Sequence, residues 1–130
     1  MAFNVLIVDD SAVMRSMILK VMKMSGLPLG EIYQASNGKE GLEALSNNWI
    51  DLVLVDINMP IMNGEDMIDR MRENPETSNI PAIVISTEGS ATRIERLKQK
   101  VSGFIKKPFS PETLRDTVYG ILGTTGGTDE

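Results

Sequence analysis

The sequence predicts a doubly wound α/β domain, (βα)5, with one five-stranded parallel sheet covered by helices on both faces. Three observations carry that prediction. Five short apolar runs recur along the chain, segments with helical spacing separate them, and most of the runs end on a polar or charged residue. Runs that are apolar without alternation fit strands buried on both faces. Regular alternation of strand and helix calls for right-handed crossovers within a single parallel sheet.

The first strand is expected at Val5-Leu6-Ile7-Val8, ending in Asp9-Asp10. Met14, Met17, Ile18, Val21 and Met22 follow at spacings of three and four, one apolar helical stripe. A weaker strand spans Glu31 to Ala35, carried by Ile32 and Tyr33, and Leu42 and Leu45 mark a helix after Asn37-Gly38. Leu52-Val53-Leu54-Val55 ends in Asp56, and Met67, Ile68 and Met71 form the next stripe before Asn74-Pro75. Ala82-Ile83-Val84-Ile85 ends in Ser86, and Ile94, Leu97 and Val101 mark a thinner helix on a charged segment. Phe104-Ile105 ends in Lys106-Lys107, before a last stripe of Leu114, Val118, Ile121 and Leu122. Ser110 can cap that helix, and Pro111 suits its first position, where a missing N–H costs nothing. Residues 1–122 thus make one domain. Gly123 to Glu130, rich in Gly and Thr, are expected to be a flexible tail.

Composition narrows the chemistry. The 130 residues are 42% hydrophobic and 24% charged, and they include no cysteine and no histidine. A structural zinc site, a thiol nucleophile, a disulfide framework and an imidazole base are therefore excluded. The net charge of -5 argues against nucleic acid as a partner. No apolar run approaches the ~20 residues that span a bilayer. Met1-Ala2-Phe3-Asn4 lacks a basic n-region, so a cytoplasmic location is expected.

The strand ends carry the information about function. Ligands of open α/β sheets bind beyond the carboxyl ends of the strands, at the topological switch point. Those ends offer Asp9, Asp10, Asp56, Ser86 and Lys107. Any one of them can be a strand stop, since Asp favours turns. Three carboxylates, a hydroxyl and a lysine converging on one edge are poorly explained that way. Two carboxylates ~4 Å apart repel by ~4 kcal/mol at an effective dielectric of 20, so the group calls for a cation. Oxygen donors without nitrogen or sulfur point to Mg²⁺, with Mn²⁺ as a substitute. A divalent cation, a lysine, a hydroxyl and a carboxylate nucleophile together describe phosphoryl transfer onto aspartate.

On these residues the chain resembles response-regulator receiver domains. Val5 to Asp10 (VLIVDD), Leu52 to Gly64 (LVLVDINMPIMNG) and Phe104 to Phe109 (FIKKPF) match the family's three signature segments in order and spacing, and the resemblance covers about residues 4–122. It implies a flavodoxin-like sheet with strand order 2-1-3-4-5. It further implies that Asp56 accepts the phosphoryl group, while Asp9, Asp10, Asp56 and the backbone carbonyl of Asn58 hold Mg²⁺, one aspartate through water. Ser86 and Lys107 would bind the phosphoryl group, Ser86 and Phe104 would be the switch pair, and Pro108 would follow a cis bond. Asn58, Thr87 and Glu88 would modulate access to the site. Thr87 stands where the family has alanine or glycine, and Lys100 to Gly103 lacks the family's Gly-Ala pair and is one residue short.

Asp-Asp-Ser followed by Met14-Arg15, with Asn58 and Glu88, looks most like the chemotaxis regulators. The implied partners are a histidine kinase as phosphodonor and a flagellar-motor switch component as target. The chain is expected to be a largely monomeric, cytoplasmic switch, with catalysis limited to its own phosphorylation and dephosphorylation. With no output domain expected, it would act by binding. A phosphorelay intermediate is the alternative.

An aspartyl-nucleophile phosphatase would need a second acid where Asn58 stands, and neither nucleotide-binding glycine motif occurs. Arg93, Arg96, Lys98, Lys100, Lys106 and Lys107 are either a solvated face or a docking surface for an acidic partner segment. Met14, Met17, Met22, Met67 and Met71 are expected in the core, and Trp49 as a partly buried anchor.

Overall fold

Ten elements alternate through the chain in a computed structural model that describes residues 2–125. They are β1 (Phe3–Val8), α1 (Ala12–Met24), β2 (Leu29–Ala35), α2 (Gly38–Asn47), β3 (Leu52–Val55), α3 (Gly64–Glu73), β4 (Ala82–Ser86), α4 (Ala91–Lys98), β5 (Gly103–Lys106) and α5 (Pro111–Thr125). The sheet is parallel throughout, in the order β2-β1-β3-β4-β5. The expected fold class and strand order therefore hold.

Alternation along each strand sorts the core into two layers. Val5, Ile7, Leu54, Ile83 and Ile85 face α1 and α5, meeting Ile18 and Met22 from one helix and Leu114 and Val118 from the other. Leu6, Val8, Val53, Val55 and Val84 face the opposite side, where Leu45, Met67, Met71 and Leu97 come from α2, α3 and α4. Burial on both faces is why β1, β3 and β4 read as unbroken apolar runs.

Every helix starts at a Ser or Asn. Ser11, Asn37, Asn63 and Ser90 accept the N–H of Met14, Glu40, Asp66 and Arg93 through their side chains. Ser110 accepts that of Thr113, ahead of Pro111 at the first helical position, as expected. Each such cap is worth about 1 kcal/mol.

Several expectations need correction. β2 begins at Leu29, two residues before Glu31, and α4 stops at Lys98, so Val101 lies beyond the helix and packs on the core from the following turn. α5 runs to Thr125, so part of the expected tail is helical; residues 126–130 lie outside the described residues. Met22, Met67 and Met71 are buried and Met14 packs on the core, but Met17 is 49% exposed. It sits on the edge of the stripe, and Ile18 and Val21 fill the space beneath α1.

Trp49 is 80% exposed, so the expected anchor is absent. Asn48, after the end of α2, is extended at φ -141°, and successive residues of extended chain point to opposite sides. Ile50 takes the inward position and is buried, which leaves the indole outside.

Candidate functional site

The site begins where the backbone ladder runs one residue past the strands. Asp9 N–H donates to Ala35 O at 3.1 Å, and Asp56 N–H donates to Val8 O at 2.9 Å. These bonds hold Asp9 after β1 and Asp56 after β3, at the point where the chain changes direction in the sheet. One carboxylate oxygen from each of Asp9, Asp10 and Asp56 lies within 4.8 Å of the others. Asp9 is buried, Asp56 half-buried and Asp10 exposed, so the cluster opens to solvent on one side.

Lys107 enters from the loop after β5. Its Nζ donates to Asp9 Oδ2 at 3.0 Å and lies 3.5 Å from Asp56 Oδ2. Its backbone N–H donates to Ser86 O at 2.9 Å, and the Lys107–Pro108 bond is cis, as the family resemblance implied. Three carboxylates against one ammonium leave a local charge of -2 (three negative, one positive), which a divalent cation would neutralise. The donor set is all oxygen and hard, and it fits Mg²⁺ or Mn²⁺.

Burial pushes the Asp56 carboxyl above its ordinary range, and the negative charge of Asp9 pushes the same way. Lys107 and the Ile57 N–H, which donates to Asp56 Oδ1 at 2.8 Å, act in the opposite sense. The result is a carboxylate poorly solvated by water and held in one orientation. Asp9 is held as firmly: Oδ1 accepts the Ser11 N–H at 2.9 Å, and its carbonyl accepts from Arg15 Nη1 at 2.6 Å. Arg15, also bonded through Nε to Gln34 Oε1, has a role that no sequence pattern announced.

Ser86 is fully buried, and its Oγ accepts the N–H of Glu88 at 3.1 Å. The Glu88 carboxylate in turn accepts the Ser90 N–H at 3.0 Å and pairs with Arg93 at 3.0 Å. The Ser90 N–H holds that carboxyl below its ordinary range, with Arg93 adding to the effect. Glu88 is therefore committed to the start of α4. Thr87 and Asn58 are exposed, and Phe104, opposite Val84 in the sheet, is half-buried against the layer beneath α3 and α4.

The loop from β3 to α3 is shaped by two backbone features. Ile61 is at φ 68° although it is β-branched, a strained conformation at an exposed position. Gly64 donates its N–H to Ile57 O at 2.8 Å, and a Cβ there would collide with the Asp56 carbonyl oxygen. Gly64 belongs to the signature segment, but its close approach to Asp56 is a tertiary fact.

The basic cluster is altered most by folding. Arg93 pairs with Glu88, Arg96 with Glu65, Lys100 with Glu65 and Asp69, and Lys107 with Asp9. Four of its six cations thus have partners within the chain, while Lys98 and Lys106 are exposed. The expected docking surface therefore carries cations that are largely paired within the chain.

Residues 5–119 match the model of the response regulator receiver domain. The chemotaxis protein CheY1 of Helicobacter pylori is 38% identical over 123 residues, which are 93% of this chain and 98% of that protein. A chemotaxis protein CheY homolog of Campylobacter jejuni is 34% identical over 126 residues, covering 95% of each. Among solved structures, the Vibrio cholerae chemotaxis protein CheY4 superposes with a TM-score of 0.83 at 30% identity, covering 94% of this chain and all of that one. Among the described residues, no helix is long and apolar enough to cross a membrane.

Proposed function

The chain belongs to the response regulator receiver family, and on that premise we propose that it is a phosphorylation-driven chemotaxis switch. The observation that carries the reading is the convergence of Asp9, Asp10 and Asp56 with Lys107 at the switch point of the sheet. Asp56 is the acceptor. A carboxylate oxygen bonds to the phosphorus of a kinase phosphohistidine as the P–N bond breaks and the imidazole leaves. The chain has no histidine, so the donor imidazole must come from a partner.

Asp9, Asp10 and Asp56, with the Asn58 carbonyl, would hold Mg²⁺, which neutralises charge developing on the transferred group. Lys107 is positioned beside Asp56 Oδ2 to pair with a phosphoryl oxygen, a role for which its compact charge is suited. Asn58 and Thr87, both exposed, and Glu88 would set access to the acyl phosphate.

The phosphoryl group brings about -1.5 to -2 charge and new acceptor oxygens. Ser86, swinging its Oγ toward one of them to donate its proton, would move that oxygen away from the Glu88 N–H it now accepts. Glu88 caps the start of α4 through Ser90 and Arg93, so loosening that bond releases the loop from β4 to α4. Phe104 can then repack inward, and the surface of α4 and β5, with exposed Lys98 and Lys106, changes shape. The target is a flagellar-motor switch component in the cytoplasm.

Intact mass tests the reading. Wild type incubated with Mg²⁺ and a small phosphodonor is expected to gain one phosphoryl group. Asp56→Asn, or wild type in EDTA, is expected to gain none. An adduct that survives either change would sink the proposal, and rapid turnover of unrelated phosphate esters would favour a phosphatase. Phosphorylation-enhanced binding to a motor switch component supports the chemotaxis role, whereas specific transfer to a histidine phosphotransfer protein would replace it with a relay.

A further inference from the structure

At the end of the sheet remote from Asp56, the loop from α2 to β3 and the loop from α3 to β4 enclose a groove of about 590 Å³. Leu45, Ile80 and Pro81 contribute apolar walls, and Trp49, Asp51 and Glu76 the distinctive groups. We infer that this groove docks an arginine- or lysine-bearing segment of a partner protein, with the Trp49 indole as its stacking platform.

Exposure of the ring is the first argument. Tryptophan is highly buried on average, and it carries a large apolar surface whose burial is favourable. Here the fold leaves it 80% exposed, while its neighbour Ile50 anchors the loop in the core. An exposed tryptophan beside a concave surface has the composition of an interface hot spot.

Rigidity is the second. Asn4 holds the tryptophan loop from both sides: its Nδ2 donates to Trp49 O at 2.8 Å, its N–H donates to Asp51 Oδ2 at 2.8 Å, and its carbonyl accepts the Asp51 N–H at 2.8 Å. The opposite wall is tied by Thr77 Oγ1 to Met71 O at 2.7 Å, by Glu76 N–H to Asn74 Oδ1 at 2.9 Å, and by Arg72 to Ser78 O and Ile80 O. A groove between two pinned loops loses little freedom on binding.

Charge selects the occupant. The ionisable groups that line the groove are Asp51 and Glu76, both acidic. An acidic segment would meet two like charges, and a purely apolar one would strip water from two carboxylates without pairing them. A guanidinium can stack on the indole while bonding a carboxylate, and an ammonium can do so less completely. The groove lies at the amino ends of β3 and β4, so its occupant leaves the aspartate cluster and the surface of α4 and β5 open. Docking would then tether the protein regardless of its phosphorylation.

Trp49 is the single tryptophan, so its fluorescence reports the groove directly. The probes are blocked pentapeptides Gly-Arg-Gly-Arg-Gly and Gly-Glu-Gly-Glu-Gly, titrated into the full chain with amide NMR shifts recorded in parallel. The arginine peptide is expected to change Trp49 emission saturably and to shift resonances of both loops, and the glutamate peptide to do neither. Glu76→Gln is expected to weaken binding at least threefold, Trp49→Ala to remove the loop shifts, and Asp56→Asn to leave binding unchanged. Equal response to both peptides, shifts spread over the acidic surface and insensitive to Trp49→Ala and Glu76→Gln, or no saturable response would overturn the inference. So would concentration-dependent shifts of the same resonances without peptide, which would mark the groove as a self-association surface.

Discussion

Glu65 on α3 and Arg96 on α4 face each other through two parallel hydrogen bonds, Nε to Oε2 and Nη2 to Oε1, both 2.9 Å. Lys100 Nζ adds a third to Glu65 at 2.9 Å and reaches Asp69 at 2.9 Å. Two elements that share no sequence neighbourhood are thereby tied together. Arg72 reinforces the junction by donating to Lys100 O at 3.2 Å. A latch of this kind opposes displacement of α4 relative to α3.

The latch makes a pH-dependent contribution. Hydrogen bonds from Arg96 and Lys100 lower the Glu65 carboxyl from its ordinary 4.5 to about 2. A depressed carboxyl stabilises the fold fully above its unfolded value, and that stability is lost as pH falls towards about 2. Glu65→Gln is expected to cost about 1 kcal/mol at neutral pH, since Arg96 remains substantially exposed and the pairs are screened. Urea unfolding should show the gap between wild type and variant shrinking from pH 4.5 downwards and in 1 M salt. A gap indifferent to both would show that Glu65 acts through packing.

Lys107 balances a buried carboxylate, Asp9, whose side chain is only 3% exposed. Its removal takes away the ammonium that touches both Asp9 and Asp56. Lys107→Met is expected to lose about 3 kcal/mol of stability in EDTA, the usual result of breaking one side of a buried pair. Mg²⁺ should then raise the melting temperature of the variant more than that of wild type, because no ammonium competes with it. Thermal melts over a Mg²⁺ titration check both, and equal Mg²⁺ responses would count against a shared site.

Gly64 carries a steric prediction. Its missing Cβ is the space occupied by the Asp56 carbonyl and the Ile57 backbone. Gly64→Ala is expected to destabilise by about 3 kcal/mol, because the obstacle is backbone and cannot rotate away. It should also slow phosphorylation by displacing Asp56. Chemical denaturation and the rate of mass gain measure the two effects, and a stable variant with normal kinetics would refute the close approach.

The alternating architecture and the gathering of the aspartate cluster were legible in local pattern. Unbroken apolar runs followed by Asp9, Asp56 and Ser86 announce buried parallel strands whose ends carry polar groups, and a parallel sheet must gather those ends on one edge. Signals of that sort span a few residues, so periodicity and turn chemistry suffice to read them. Element ends were read less well. Whether α4 stops at Lys98 or runs to Val101, and how far α5 extends, turns on capping and packing energies of about 1 kcal/mol.

Pairing across the fold was decided by packing alone. Arg96 and Lys100 read as part of a basic stretch, yet they pair with Glu65 and Asp69, 31 to 35 residues earlier in the chain. Charge counted along a sequence says nothing about which opposite charge folding brings within hydrogen-bonding range. Trp49 shows the same limit from the apolar side: its hydrophobicity favours burial, but Ile50 occupies the inward position and only one of two neighbours in extended chain can take it. Residue type and spacing specify what each short segment prefers. Distances between segments, and hence which preferences are satisfied, arise only when the layers pack.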